Sequence, residues 1–166
     1  GDALAQNNLG AMYDNGEGVI EDDVKAAKWY RKAANQDDPV AQVNLGFMYH
    51  YGDGVQKDLS EASKWYRRAA VQGNPVAQYN LGEMYDNGEG VTKNINTASY
   101  WYRKAAEQGD EDARKRLEEL VKERALVETK NTVRSEEILG EERALVEASN
   151  TARPEEILGK ESKESL

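Results

Sequence analysis

The sequence predicts an all-α solenoid, and three observations carry that prediction. The first is a period. Leu9, Leu45 and Leu81 stand 36 residues apart, as do Trp29, Trp65 and Trp101, and 39–74 matches 75–110 at 22 of 36 positions. A fixed period of this size marks a stacked repeat. The second is that each period carries two apolar stripes with helical rather than alternating spacing. The third is punctuation, because helix start and stop signals fall at the same places in every copy. Neither helix of a unit buries its stripe alone, so the units must stack.

The first helix of each unit, helix A, begins at Asp2, Asp38 or Asn74, whose side-chain oxygen accepts an orphan backbone N–H. Pro39 and Pro75 follow at the first helical position, where a missing N–H costs nothing. Ala5/Ala41/Ala77, Leu9/Leu45/Leu81, Met12/Met48/Met84 and Tyr13/Tyr49/Tyr85 recur at i, i+4, i+7 and i+8, a helical stripe. Gly10, Gly46 and Gly82 lie inside the helix, at a cost of about 1 kcal/mol against alanine. Paid three times, that cost implies a partner helix too close for a side chain. Gly16, Gly52 and Gly88 end helix A as left-handed caps.

A Gly-x-Gly-Val turn leads to helix B, capped by Asp22, Asp58 and Asn94. Ala26/Ala62/Ala98, Trp29/Trp65/Trp101, Tyr30/Tyr66/Tyr102 and Ala33/Ala69/Ala105 form its stripe. Gly73 and Gly109 end helix B, while the first unit has Asp37 there.

The motifs A-x-x-x-L-G-x-x-Y, G-x-G-V and A-x-x-W-Y-x-x-A-A-x-Q-G, read along 1–110, resemble those of the Sel-one-like repeat family, relatives of the tetratricopeptide repeat. The resemblance implies a right-handed superhelix of antiparallel helix pairs, used as an adaptor for other proteins. The three repeats are then 1–37, 38–73 and 74–109.

A partial fourth unit keeps Asp110, Ala113, Leu117 and Val121 in register but has Glu118 in place of the glycine. Residues 111–130 therefore read as a capping helix, with Arg114, Lys115 and Arg116 as its solvated face. The tail, 131–166, falls under a different period, since 123–141 and 142–160 share 14 of 19 positions. Ser135 and Pro154 precede acidic pairs that favour helix starts, and Gly140 interrupts the apolar face of Ile138, Leu139, Leu145 and Val146. Two readings stand: short amphipathic helices that dock weakly or fray, or helix-in-groove ligands for this array or a neighbouring copy.

Composition narrows the function. The net charge is −9, with 11 basic and 16 acidic residues in 1–110 and 11 and 15 in 111–166. Such a chain lacks the electrostatic footprint for a phosphate backbone, so nucleic acid is a poor partner. No apolar run approaches the roughly 18–20 residues that span a bilayer. The absence of cysteine excludes disulfides and thiolate metal sites and leaves the compartment open. Gly1-Asp2 matches the junctions Gly73-Asn74 and Gly109-Asp110, as in a fragment of a longer array.

No catalytic, cofactor or metal constellation emerges. The one histidine, His50, has no second imidazole for a zinc site, and Asp53 beside it makes no triad without a nucleophile. Acidic pairs such as Asp22/Asp23 and Asp37/Asp38 complement helix dipoles. Gly16-Glu-Gly18 and its copies follow a helix and place an acid between the glycines, unlike a phosphate loop. Lys28, Arg31 and Lys32, with Lys64, Arg67 and Arg68, suit the helix B dipole and exposed surface; an acidic-partner patch is the other reading.

The repeats serve as their own control. Positions identical in all three copies serve the stack, and variable positions are free for something else. The variable helix A set is Asn7/Val43/Tyr79, Ala11/Phe47/Glu83 and Asp14/His50/Asp86, one stripe within about 60°. In related superhelices, the resemblance implies, that face lines the concave groove. Asn8, Asn44 and Asn80 flank it and are suited to a peptide backbone. The partner-binding candidates are Asn7, Ala11, Val43, Asn44, Phe47, His50, Tyr79, Asn80 and Glu83, with Phe47 the foremost anchor. Packing between adjacent A helices is the competing role. The leading function is a non-catalytic scaffold or adaptor for a protein or peptide. The alternative is a self-association module whose tail docks on its own or a neighbouring array.

Overall fold

The computed structural model describes residues 1–151. They form seven helices and, among the described residues, no strand: α1 (Ala3–Asn15), α2 (Asp23–Ala34), α3 (Pro39–Tyr51), α4 (Leu59–Val71), α5 (Pro75–Asn87), α6 (Ile95–Ala106) and α7 (Glu111–Thr151). The chain divides into two units between Val121 and Lys122. In the first, α1 to α6 pack in sequence order, each on the next. The all-α repeat solenoid expected from the period is the fold observed. Residues 152–160 of the duplicated segment, and the helix start at Pro154, lie outside the described residues.

The punctuation acts as its residue types dictate. Asp2, Asp38 and Asn74 have extended backbones and accept the N–H of Ala5, Ala41 and Ala77. Asp22, Asp58 and Asn94 do the same for Lys25, Glu61 and Thr97. Each such cap contributes about 1 kcal/mol. Gly16, Gly52 and Gly88 take left-handed φ of 67°, 91° and 79°. After helix B, Gly73 and Gly109 are left-handed too, and Asp37 adopts φ 62° in their place in the first repeat. Aspartate is among the few residues that visit this region routinely.

The helix A glycines are where the two helices of a repeat touch. A Cβ on Gly10 would lie 2.6 Å from Tyr30, one on Gly46 2.5 Å from Tyr66, and one on Gly82 2.8 Å from Tyr102. These tyrosines are the largest fully buried side chains. The second turn glycine has another task. A Cβ on Gly54 would lie 2.1 Å from the Asp23 carbonyl oxygen, and one on Gly90 2.2 Å from that of Leu59. The turns of the second and third repeats thus lie backbone to backbone on the preceding helix B.

Polar bonds then fasten repeat to repeat. Gln42 is fully buried; its Nε2 donates to the Ala34 carbonyl at 3.2 Å and its Oε1 accepts from Gln72 at 2.8 Å. Gln78 donates to the Ala70 carbonyl in the same way, while the amide pairs Gln42–Gln72, Gln78–Gln108 and Gln6–Gln36 each close within one repeat. Arg31 and Arg67 do more than face solvent beside the helix B dipole. They donate to the hydroxyls of Tyr49 and Tyr85 in the following repeat, with each guanidinium over the ring.

Two expectations are corrected at the C-terminal end. The structure has one continuous helix, α7, where the sequence predicts a capping helix over 111–130 and then short helices broken at Gly140. Nothing lies within 4 Å of a Cβ built at Gly140, so that glycine costs only its propensity, about 1 kcal/mol, and strong helix formers flank it. Arg116 is also not simply part of a solvated face. Its Nε lies 2.6 Å from the buried Asp86 carboxylate and its Nη1 3.0 Å from Glu119. The start of α7 closes the core of the third repeat, where Ala113 and Leu120 are buried with Ala98, Tyr102 and Ala105. From Val121 to Asn150 every side chain is exposed.

Candidate protein-binding face

The face begins with what makes helix A of one repeat differ from the next. Of the variable positions, 7/43/79 turn largely into the stack. Asn7 is buried and accepts from Asn44 Nδ2 at 3.2 Å, so both asparagines serve the contact between α1 and α3. Val43, 5% exposed, belongs to the core around Tyr66 and Leu81. Ala11 packs, partly buried, against the core of the first two repeats. Asn80 donates to the Val76 carbonyl of its own helix at 2.7 Å. A peptide-binding role thus has least room at Asn7 and Val43.

The other candidates converge at the seam between the second and third repeats. The Phe47 ring stands edge-on to Tyr66 with centroids 5.6 Å apart, and it stacks with Tyr51 at 6.4 Å. The His50 ring lies 4.8 Å from that of Tyr51, and its Nε2 is 3.9 Å from Glu89 Oε2. From α5, Tyr79 packs on Tyr102 and donates its hydroxyl to Glu83 at 3.1 Å. Burial, with the Glu83 charge beside it, pushes the Tyr79 hydroxyl up to about 12. Glu83 is itself raised above the usual carboxylate range, first by burial, with Glu89 and Asp86 adding to the rise and Tyr79 and His50 opposing it.

Position 14/50/86 corrects the rule that variable residues are free of the stack. Asp14 accepts from the Tyr30 hydroxyl at 3.0 Å, and Asp86 from the Tyr102 hydroxyl at 3.5 Å. Here the carboxylate ties the end of helix A to helix B, and only His50 breaks the pattern. Two residues of the seam were missed. Tyr51 is 63% exposed and stands where the other repeats have Asn15 and Asn87, so the same internal comparison finds it. Glu89 sits between turn glycines, where Glu17 and Asp53 are equally acidic, and no sequence signal separates it. Among the described residues no group of three or more potential ligands can hold a metal ion, and no helix is long and apolar enough to cross a membrane.

Comparisons with known proteins agree on the architecture. The family model described as Sel1 repeat matches residues 3–38, 39–74 and 75–110. Among solved structures, a Sel1 repeat protein from Oxalobacter formigenes is 49% identical, with a TM-score of 0.67 over 71% of this chain and 89% of that one. The protein c5321, a protective antigen of uropathogenic Escherichia coli displaying an SLR fold, is 48% identical with a TM-score of 0.66. That match covers 67% of this chain but only 24% of the antigen. Helicobacter pylori cysteine rich protein B is 27% identical, with a TM-score of 0.58 over 67% of this chain and 86% of that one. No curated protein matches. Three consecutive matches across most of the chain, on the helix pairs described above, make it a member of the Sel1 repeat family.

Proposed function

We propose that this protein is a non-catalytic adaptor that binds a protein or peptide along the helix A face of its second and third repeats. Sel1 repeat proteins are generally protein-interaction scaffolds. The observation that carries the reading here is the seam itself. Phe47 and Tyr51 form an aromatic pair beside His50, which reaches Glu89 of the third repeat, where Tyr79 holds Glu83, and Tyr51 keeps most of its surface in solvent. Aromatic residues in that setting are the usual anchors of an interface.

The test is a peptide-display selection on the folded protein, followed by affinity measurement on a Phe47→Leu/Tyr51→Ser variant. Leucine keeps apolar contact with Tyr66, so the variant retains its fold by circular dichroism. Binding of the selected peptides should weaken at least tenfold, as for loss of an interface hot spot. Equal binding to both proteins would move the site elsewhere. A second reading, self-association through α7, has its own observation: beyond Val121 the helix exposes Leu126, Val127, Val133, Ile138, Leu139, Leu145 and Val146.

A further inference from the structure

The seam holds a carboxylate without a counter-charge. Glu83 is half-buried, and among the described residues it receives one hydrogen bond, from Tyr79, and no ion pair. The His50 ring lies against Glu89 instead. One turn along the same helix, the equally acidic Asp86 takes the guanidinium of Arg116 from the following helix. Burying a carboxylate is unfavourable until a cation joins it. Asp86 has such a partner, and among the described residues Glu83 has none.

A second, independent observation lies beneath it. Tyr66 is 1% exposed, and its hydroxyl has no hydrogen-bond partner. Its counterparts Tyr30 and Tyr102 donate to Asp14 and Asp86, but in this repeat the carboxylate is replaced by His50. The Tyr66 ring lies edge-on to Phe47 at 5.6 Å, and Phe47 in turn stacks with Tyr51, so the unpaired group belongs to the same aromatic cluster. Burial first, and then the Tyr51 and Glu83 charges, push its hydroxyl up. Phenol oxygens elsewhere in this chain accept from guanidinium groups, Tyr49 from Arg31 and Tyr85 from Arg67.

The distribution of charge gives the third. Helices α1, α3 and α5 contain no lysine or arginine, whereas nine of the eleven basic residues of 1–110 stand on α2, α4 and α6. The A helices therefore carry the acids Asp14, Glu83 and Asp86 and no lysine or arginine of their own to balance them. Among cations, guanidinium suits the notch best, because it is planar, stacks on aromatic rings and spreads its donors over several oxygens.

We propose that the notch lined by Phe47, His50, Tyr51, Tyr66, Glu83 and Glu89 is an arginine-binding subsite. The partner's guanidinium pairs with Glu83, stacks against Phe47 and Tyr51, and reaches the Tyr66 hydroxyl as the Phe47 ring swings aside. The inference rests on the helix A face being the binding face and names what that face selects.

The probe is N-acetyl-arginine methylamide, titrated into the whole protein and followed by NMR at the His50 and Tyr51 rings. The neutral citrulline analogue serves as the control. The arginine compound should give saturable shifts there and the citrulline compound should bind at least fivefold more weakly. Glu83→Gln should weaken arginine binding at least fivefold, while Glu17→Gln, the same charge change on an exposed turn, leaves it unaltered. Equal binding of both compounds, an unaltered Glu83→Gln, or an equal loss in Glu17→Gln would each overturn the subsite. Display-selected peptides that need Phe47 and Tyr51 but carry no basic residue would overturn it as well, and leave the adaptor reading standing. Arginine binding at the notch with no peptide dependence on Phe47 and Tyr51 would support the subsite and remove only that reading.

Discussion

Tyr30, Tyr66 and Tyr102 occupy one place in three repeats, yet the middle hydroxyl lacks the acceptor its neighbours have. His50→Asn supplies an oxygen on a side chain of the length of Asp14, without adding charge beside Glu83 and Glu89. A satisfied hydrogen bond contributes about 1 kcal/mol net, so the variant should melt at a higher temperature in calorimetry. An unchanged or lower midpoint would mean that the Tyr66 hydroxyl is content as it stands. At this scale the sequence is legible wherever a residue acts on its near neighbours. The caps at Asp2, Asp38 and Asn74, and the left-handed glycines, follow from local chemistry alone. The Asp14–Tyr30 bond spans 16 residues, and nothing in the helical spacing of either stripe names the other as its partner. That is why His50 reads in sequence as a free surface position, when it is the one copy in which a structural bond is missing.

Glycine divides the helices into two kinds. In α3, Gly46 lies against Tyr66 with no room for a methyl group. Gly46→Ala should therefore destabilise by about 1–3 kcal/mol through overpacking, despite a propensity gain of about 1 kcal/mol. Denaturant titration reads the balance, and a stabilised variant would deny the close approach. In α7, Gly140 has open space, so Gly140→Ala should only gain, visible as higher helical ellipticity. The close approach in α1, α3 and α5 was foreseeable because a propensity cost paid three times needs a common cause. The continuity of α7 was not. A single glycine in a helix-forming sequence is too weak a signal to separate a break from a tolerated residue, since the outcome turns on whether anything packs beside it. Arg116 shows the converse. Its charge suggests solvent, but its register with the preceding repeat brings it to Asp86.

For the molecule as a whole, the repeats and the exposed part of α7 make separate claims about assembly. An adaptor that presents one face to a partner should give a monomer mass by light scattering, both intact and after removal of 131–166. A mass that halves on truncation would instead make the apolar residues of α7 an interface between copies. The architecture was legible because a 36-residue period leaves few ways to bury its stripes. The candidate face was outlined in the sequence by the comparison of copies, which picked out Phe47, His50, Tyr79 and Glu83. It was blurred where variation reflects packing rather than recognition, as at Asn7 and Val43.

The glutamine rungs, Gln6 with Gln36, Gln42 with Gln72, and Gln78 with Gln108, join unlike helices through like side chains. Each rung closes within one repeat, and Gln42 and Gln78 reach the preceding repeat through the backbone carbonyls of Ala34 and Ala70, an acceptor that every residue type supplies. A duplication or loss of 36 residues meets the same carbonyl acceptor at the new junction. The stack is thus indifferent to its own length, and inheritance can lengthen or shorten it in whole repeats while the variable helix A positions change at their own pace.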